Sequence, residues 1–174
     1  MSTRELVRQL MAEHDLPYFV TFNFGSKVHP IAGGEKVVRF INVVQDAAYG
    51  GRWAKRRGAE RVTAIGVWER LDLNPHLHCG LYAPEAVADV IFNQGPELWL
   101  RGVARGQLDV ERSRSRKRVR NYSTKAIWLP EHQDRLFLYV PPGGSGVRFD
   151  DLSPKDLRGV SPRPQVPLHR QWRS

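Results

Sequence analysis

Only one cysteine, Cys79, occurs in the 174 residues. An internal disulfide and any multi-cysteine zinc site are therefore excluded. Long apolar runs are missing too, and the opening STRELVRQLMAEHD mixes charges into its apolar positions. That pattern fits neither a transmembrane helix nor a signal peptide, so an intracellular, cytoplasmic chain with no membrane contact is expected. Acidic residues are scarce: 18 Asp and Glu stand against 27 Lys and Arg, a formal net charge of +9 with a pI near 10.2. Such an excess asks for a polyanionic partner. Apolar residues, by contrast, make up 41% of the chain and aromatics 10%, enough to bury a core and to argue against wholesale disorder. The length fits a single domain.

Proline and glycine are concentrated at the C-terminal end. Residues 141–174 carry 6 of the 12 prolines, in stretches such as PPGGSG and SPRPQVPLHRQWRS with almost no apolar periodicity. They read as a flexible basic tail, disordered by composition, and the globular unit as residues 1–140. The tail holds six basic and three acidic residues, so the body remains basic without it.

Within the body, Ser2 and Glu5 have capping-box spacing ahead of Leu6, Val7 and Leu10, which predicts a short helix ended by Pro17. Tyr18 to Phe24 is dense in aromatic and β-branched residues, a strand signal. After a loop containing Gly33 and Gly34, apolar residues at 37, 41, 44 and 48 predict a helix from about Glu35 to Arg57, with Gly50-Gly51 as an interruption. Arg61–Glu69 and His76–Tyr82 read as an antiparallel hairpin turned through Asp72, Asn74 and Pro75. A helix follows from Pro84, broken or restarted at Gly95-Pro96, then a strand over Gln107–Glu111 and a last helix from about Arg116 to Leu129. The order predicts an α+β fold of ferredoxin-like, or RRM-like, type: a central antiparallel sheet of four to five strands with helices and one further helix after it.

Chemistry enters at His76-Leu77-His78. On a strand, residues two apart share a face, so both imidazoles project together while Leu77 joins Cys79 and Leu81 on the opposite, core-facing side. Two histidines so spaced also occur by chance on half-exposed strands. Glu69 strengthens the metal reading, because the hairpin folds it back beside the pair. Two imidazoles and a carboxylate suit Mn²⁺, Mg²⁺ or a related ion with positions left for phosphate oxygens, whereas the bland reading of Glu69 is a solvated strand-end charge. On the last predicted helix, Tyr122 and Lys125 stand at i and i+3, one face. There Lys125 can hold a phosphate or a phenolate, and tyrosine can attack phosphorus, although a helical tyrosine is ordinarily a packing residue. Just before it, Arg112, Arg114, Arg116, Lys117, Arg118 and Arg120 put six basic residues in nine. Such a run means nucleic-acid contact, a targeting signal or a solvated loop, and its place beside Tyr122 favours phosphate contact.

Taken together, Phe19-Val-Thr-Phe-Asn-Phe24, His76-Leu-His78 and Tyr122-Ser-Thr-Lys125 resemble the HUH endonuclease superfamily, in particular its single-tyrosine rolling-circle replication initiators. The resemblance spans about residues 17 to 129, in the order that family uses. It implies a divalent metal, Mn²⁺ or Mg²⁺, on His76, His78 and Glu69, and Tyr122 attacking single-stranded DNA to leave a 5′-phosphotyrosine and a free 3′-hydroxyl. Lys125 then contacts phosphate or phenolate, Thr21 and Asn23 are candidates for substrate contact, and Tyr82 for base stacking. The implied partner is single-stranded DNA at a hairpin origin or nick site, with any unwinding supplied by a separate helicase.

Ala126 stands where initiators often carry a second aromatic, so a single-tyrosine HUH transposase is the nearest alternative. A mobilising relaxase fits less well, since its tyrosine usually lies near the N-terminus. From another class, a non-catalytic nucleic-acid-binding module of RRM type leaves the histidine pair without a role and lacks the RRM's aromatic signature strand. A cupin metal site needs more strands than this chain supplies.

Overall fold

The computed structural model describes residues 16–56, 60–113 and 135–141. Along them run β1 (Tyr18–Asn23), α1 (Pro30–Tyr49), a 3₁₀ turn (Trp53–Lys55), β2 (Thr63–Glu69), β3 (His76–Tyr82), α2 (Glu85–Gly102), β4 (Gln107–Arg112) and β5 (Leu136–Tyr139). The strands form one sheet in the order β4-β1-β3-β2-β5, with every neighbouring pair antiparallel. The architecture is α+β. Its first four strands and two helices are compatible with a ferredoxin-like arrangement, and β5 extends the sheet beyond β2.

Alternation decides which side of each strand is covered. In β1, Val20 and Phe22 are fully buried while Thr21 between them is only half-buried; in β3, Leu77, Cys79 and Leu81 are buried while His76 and His78 are not. The buried set packs under the helices. Val37, Phe40, Ile41 and Val44 of α1 and Val87, Ala88, Ile91 and Trp99 of α2 supply the other half of that core. Trp99 centres an aromatic cluster, with ring centroids 5.0 Å from Phe22, 5.2 Å from Phe24 and 5.8 Å from Phe40. Each such buried side chain contributes about 1.5–3 kcal/mol relative to exposure. Strand β2 is covered on both sides, since Ile65 and Val67 are as buried as Ala64 and Trp68.

Several boundaries differ from the sequence expectation, through capping, backbone conformation or packing. Helix α1 starts at Pro30 rather than Glu35, with Gly33 and Gly34 inside it. His29 caps it, its Nδ1 accepting from the Ile31 N–H at 3.3 Å, and Pro30 occupies a first-turn position that needs no N–H donor. Gly33 is there for proximity, because a β-carbon would lie 2.4 Å from Trp68 Cη2. The helix ends at Tyr49 rather than Arg57, at Gly50, whose φ of 73° is left-handed. Helix α2 runs unbroken through Gly95 and Pro96, since buried Ile91, Gly95 and Trp99 hold one stripe of it against the core. Strand β2 begins at Thr63 rather than Arg61, and β5 is a strand the sequence pattern did not predict. Pro141, expected in the tail, is buried. The expected N-terminal helix, the last helix with Tyr122 and Lys125, and the tail from 142 onward lie outside the described residues. No helix among the described residues is long and apolar enough to cross a membrane.

Candidate metal centre

The sheet face away from the helices carries the candidate site. Antiparallel register sets Glu69 of β2 opposite His76 of β3, and Thr21 of β1 opposite His78. Strand β3 lies between β1 and β2, so residues from three adjacent strands meet on one surface. Thr21, Asn23, Glu69, His76 and His78 share it by strand parity.

Each imidazole is held at its Nδ1. His76 Nδ1 bonds to the backbone carbonyl of Asn74 in the hairpin turn, and His78 Nδ1 lies 3.0 Å from Thr21 Oγ1. His78 Nε2 then faces Glu69 Oε2 at 3.5 Å, and both side chains keep some solvent access. The His78 ring runs near-parallel to two neighbours: His76, with centroids 6.1 Å apart, and Phe19, at 5.9 Å. Burial holds His78 below the ordinary histidine pKa, opposed by the Glu69 carboxylate and assisted by His76 and Arg70. Neutral imidazole, the form that binds cations, is thereby favoured. Among the described residues, no three His, Cys, Asp or Glu side chains already converge as a metal-holding group; the close pair is His78 with Glu69, and His76 stands beside it. The donor chemistry nevertheless fits a divalent cation, because anchoring Nδ1 in the protein and presenting Nε2 is how ligating histidines are ordinarily oriented.

Thr21 and Asn23 bond within the protein. The Thr21 hydroxyl engages His78, while Asn23 Oδ1 accepts the Gly25 N–H at 2.8 Å and the Asn23 carbonyl accepts Trp99 Nε1–H at 3.0 Å. Tyr82 lies on the same face as the histidines but at the far end of β3, opposite Thr63. Arg112 is not brought to this face. It pairs with Tyr18 in register, on the helix-covered side, and its guanidinium sits 5.9 Å from the Phe92 ring centroid. Arg114, Arg116, Lys117, Arg118, Arg120, Tyr122 and Lys125 lie outside the described residues.

Two members of the surface were not singled out by sequence pattern. Phe19 counted only as part of a hydrophobic strand, yet alternation puts it on the histidine side. Arg70 follows Glu69 in a left-handed conformation with φ of 54°, is exposed, and acts electrostatically on His78. Nothing in the sequence marks a non-glycine residue for that conformation. Comparison with protein-family models, curated proteins and solved structures finds no match, so the functional reading rests on these residues.

Proposed function

We propose that this chain is a metal-dependent endonuclease of HUH type that nicks and rejoins single-stranded DNA through a 5′-phosphotyrosine, as a rolling-circle replication initiator does. One observation supports the reading above others: Glu69, His76 and His78 occupy neighbouring positions on the face of a β4-β1-β3-β2-β5 sheet that points away from α1 and α2, with both histidines anchored through Nδ1. A divalent cation, Mn²⁺ or Mg²⁺, held by the three would offset the negative charge that builds on the scissile phosphate.

The chain's own groups carry the rest. The Tyr122 phenolic oxygen attacks the phosphorus, forming a P–O bond to tyrosine as the bond to the 3′ oxygen breaks and that oxygen leaves as a hydroxyl. Lys125 steadies the phenolate or a neighbouring phosphate, and the basic run 114–120 follows the backbone of the single strand. Rejoining is the reverse transfer, in which a 3′-hydroxyl attacks the phosphotyrosine and frees the phenol. Energy of the cleaved bond stays in the adduct, so no nucleotide cofactor is required. Substrates of the class would be hairpin origins or nick sites, with a separate helicase opening the duplex.

The test uses single-stranded DNA labelled at its 3′ end, with Mn²⁺. Wild-type protein should carry label after denaturation, and peptide mapping should place it on Tyr122. Tyr122→Phe, which deletes one oxygen and keeps the ring, should lose both cleavage and adduct while still binding DNA. Cleavage that persists in Tyr122→Phe and releases a free 5′-phosphate would move the protein to a water-dependent nuclease.

A further inference from the structure

The two histidines are anchored by chemically different partners. Asn74 offers His76 a backbone carbonyl, which only accepts hydrogen bonds, so His76 Nδ1 must carry a proton, and of the two neutral tautomers only the one with its lone pair on Nε2 suits this contact. Thr21 offers His78 a hydroxyl, which donates or accepts according to its rotation. The far side of the His78 ring adds a second constraint, since Nε2 faces a Glu69 oxygen at 3.5 Å. A nitrogen lone pair directed at a carboxylate is repulsive, so without a cation the proton belongs on Nε2 and Thr21 donates to Nδ1. A cation between His78 and Glu69 reverses the preference, because Nε2 must then offer its lone pair.

From this asymmetry we infer that the Thr21 hydroxyl is a positioning group that lets His78 exchange tautomers on cation binding, while the Asn74 carbonyl keeps His76 permanently in the ligating tautomer. In the exchange, Nε2 gives its proton to solvent, Nδ1 takes one from solvent, and the Thr21 hydroxyl turns from donor to acceptor. The ring stays neutral and no net proton is released. A site built this way is masked in the ion-free protein by the His78–Glu69 contact and opens without either strand moving. Thr21 thus acts on the cation through His78, a role distinct from the DNA contact expected for it.

The inference rests on the metal reading of the site, and the experiment separates the two. In the full-length chain labelled with ¹⁵N, long-range proton–nitrogen correlations report the tautomer of each histidine, and Zn²⁺ serves as the diamagnetic probe. Without ion, His76 should carry its proton on Nδ1 and His78 on Nε2; with Zn²⁺, His78 should move to Nδ1–H and His76 should keep its tautomer. Thr21→Val should retain the ion-free pattern, which reports an intact fold, and bind Zn²⁺ about ten-fold or more weakly, as loss of a ligand's outer partner does. Thr21→Ser should restore affinity and exchange together. Zinc binding at both rings with His78 unchanged in tautomer, or Thr21→Val binding like wild type, overturns the inference alone. Zinc-insensitive rings at both positions overturn the metal reading and the exchange with it.

Discussion

Gly33 of α1 rides directly over Trp68 of β2, so close that a β-carbon at 33 would fall 2.4 Å from Cη2 and 3.2 Å from Cζ2 and Cζ3. The indole is 2% exposed and has no free end to swing aside. Gly33→Ala should therefore lower stability by roughly 1–3 kcal/mol despite the better helix propensity of alanine. Gly34→Ala is the matched control, since its β-carbon would meet Phe137 at an ordinary 3.6 Å. It should be neutral or stabilising by about 0.4–1 kcal/mol. Urea midpoints of the two variants decide the matter, and equal effects would mean that the Trp68 contact does not limit the approach of α1.

At the candidate site, His76→Ala and His78→Ala should each abolish Mn²⁺-dependent cleavage of single-stranded DNA. Neither ring belongs to the core under the helices, so melting temperatures of both variants should stay within a few degrees of wild type. Glu69→Ala should cost less, or cost differently with Mg²⁺ and Mn²⁺, because water can replace one carboxylate ligand. Wild-type cutting by either histidine variant would remove the metal centre from the mechanism.

Protons should destabilise the ion-free protein through His78. Burial holds its folded pKa below the unfolded value of about 6.5, so the unfolded chain binds the proton first as pH falls. The stability linked to this ring is fully present above the unfolded value and is lost as pH drops through the folded one. Denaturation midpoints measured with a chelator at about pH 7.5 and about pH 5.5 should thus fall on acidification. His78→Gln should flatten that decline, and a decline identical to wild type would show that another group governs it.

Salt should weaken binding to single-stranded DNA steeply, with a slope of roughly 0.7 log units per phosphate contact for each tenfold rise. Replacing Arg114, Arg116 and Arg118 together should flatten the slope. Arg112→Ala should leave it unchanged, since that guanidinium lies over Phe92 on the helix-covered side. A flattened slope from Arg112→Ala alone would bring the DNA path around that edge of the sheet.

Strand alternation makes the histidine face legible from the residue pattern alone, because Leu77, Cys79 and Leu81 can only be core if His76 and His78 are not. The hairpin places Glu69 correctly for the same reason: a turn between two nearby strands is a local feature. Glycine misleads where it serves packing instead of turning, as at Gly33 in α1 and Gly95 in α2. Four residues, Leu136–Tyr139, are too few for a periodic signal, so β5 had none to give. The Thr21–His78 bond depends on β1 lying beside β3, a pairing of strands distant in the chain, and no local pattern encodes it.

Strand β1 is made before either of its neighbours. Its partners are His76–Tyr82 on one side and Gln107–Arg112 on the other, with a long helix and a hairpin to be synthesised in between. At on the order of 5–20 residues per second, the aromatic segment from Tyr18 waits several seconds on the ribosome with both edges unpaired. The β2–β3 hairpin can close locally during that interval, so Glu69 and His76 meet early, whereas Thr21 reaches His78 only when β1 docks. Conditions that slow synthesis, or crowd many ribosomes on one message, should therefore penalise this chain through aggregation of nascent β1, well before the finished protein's stability matters.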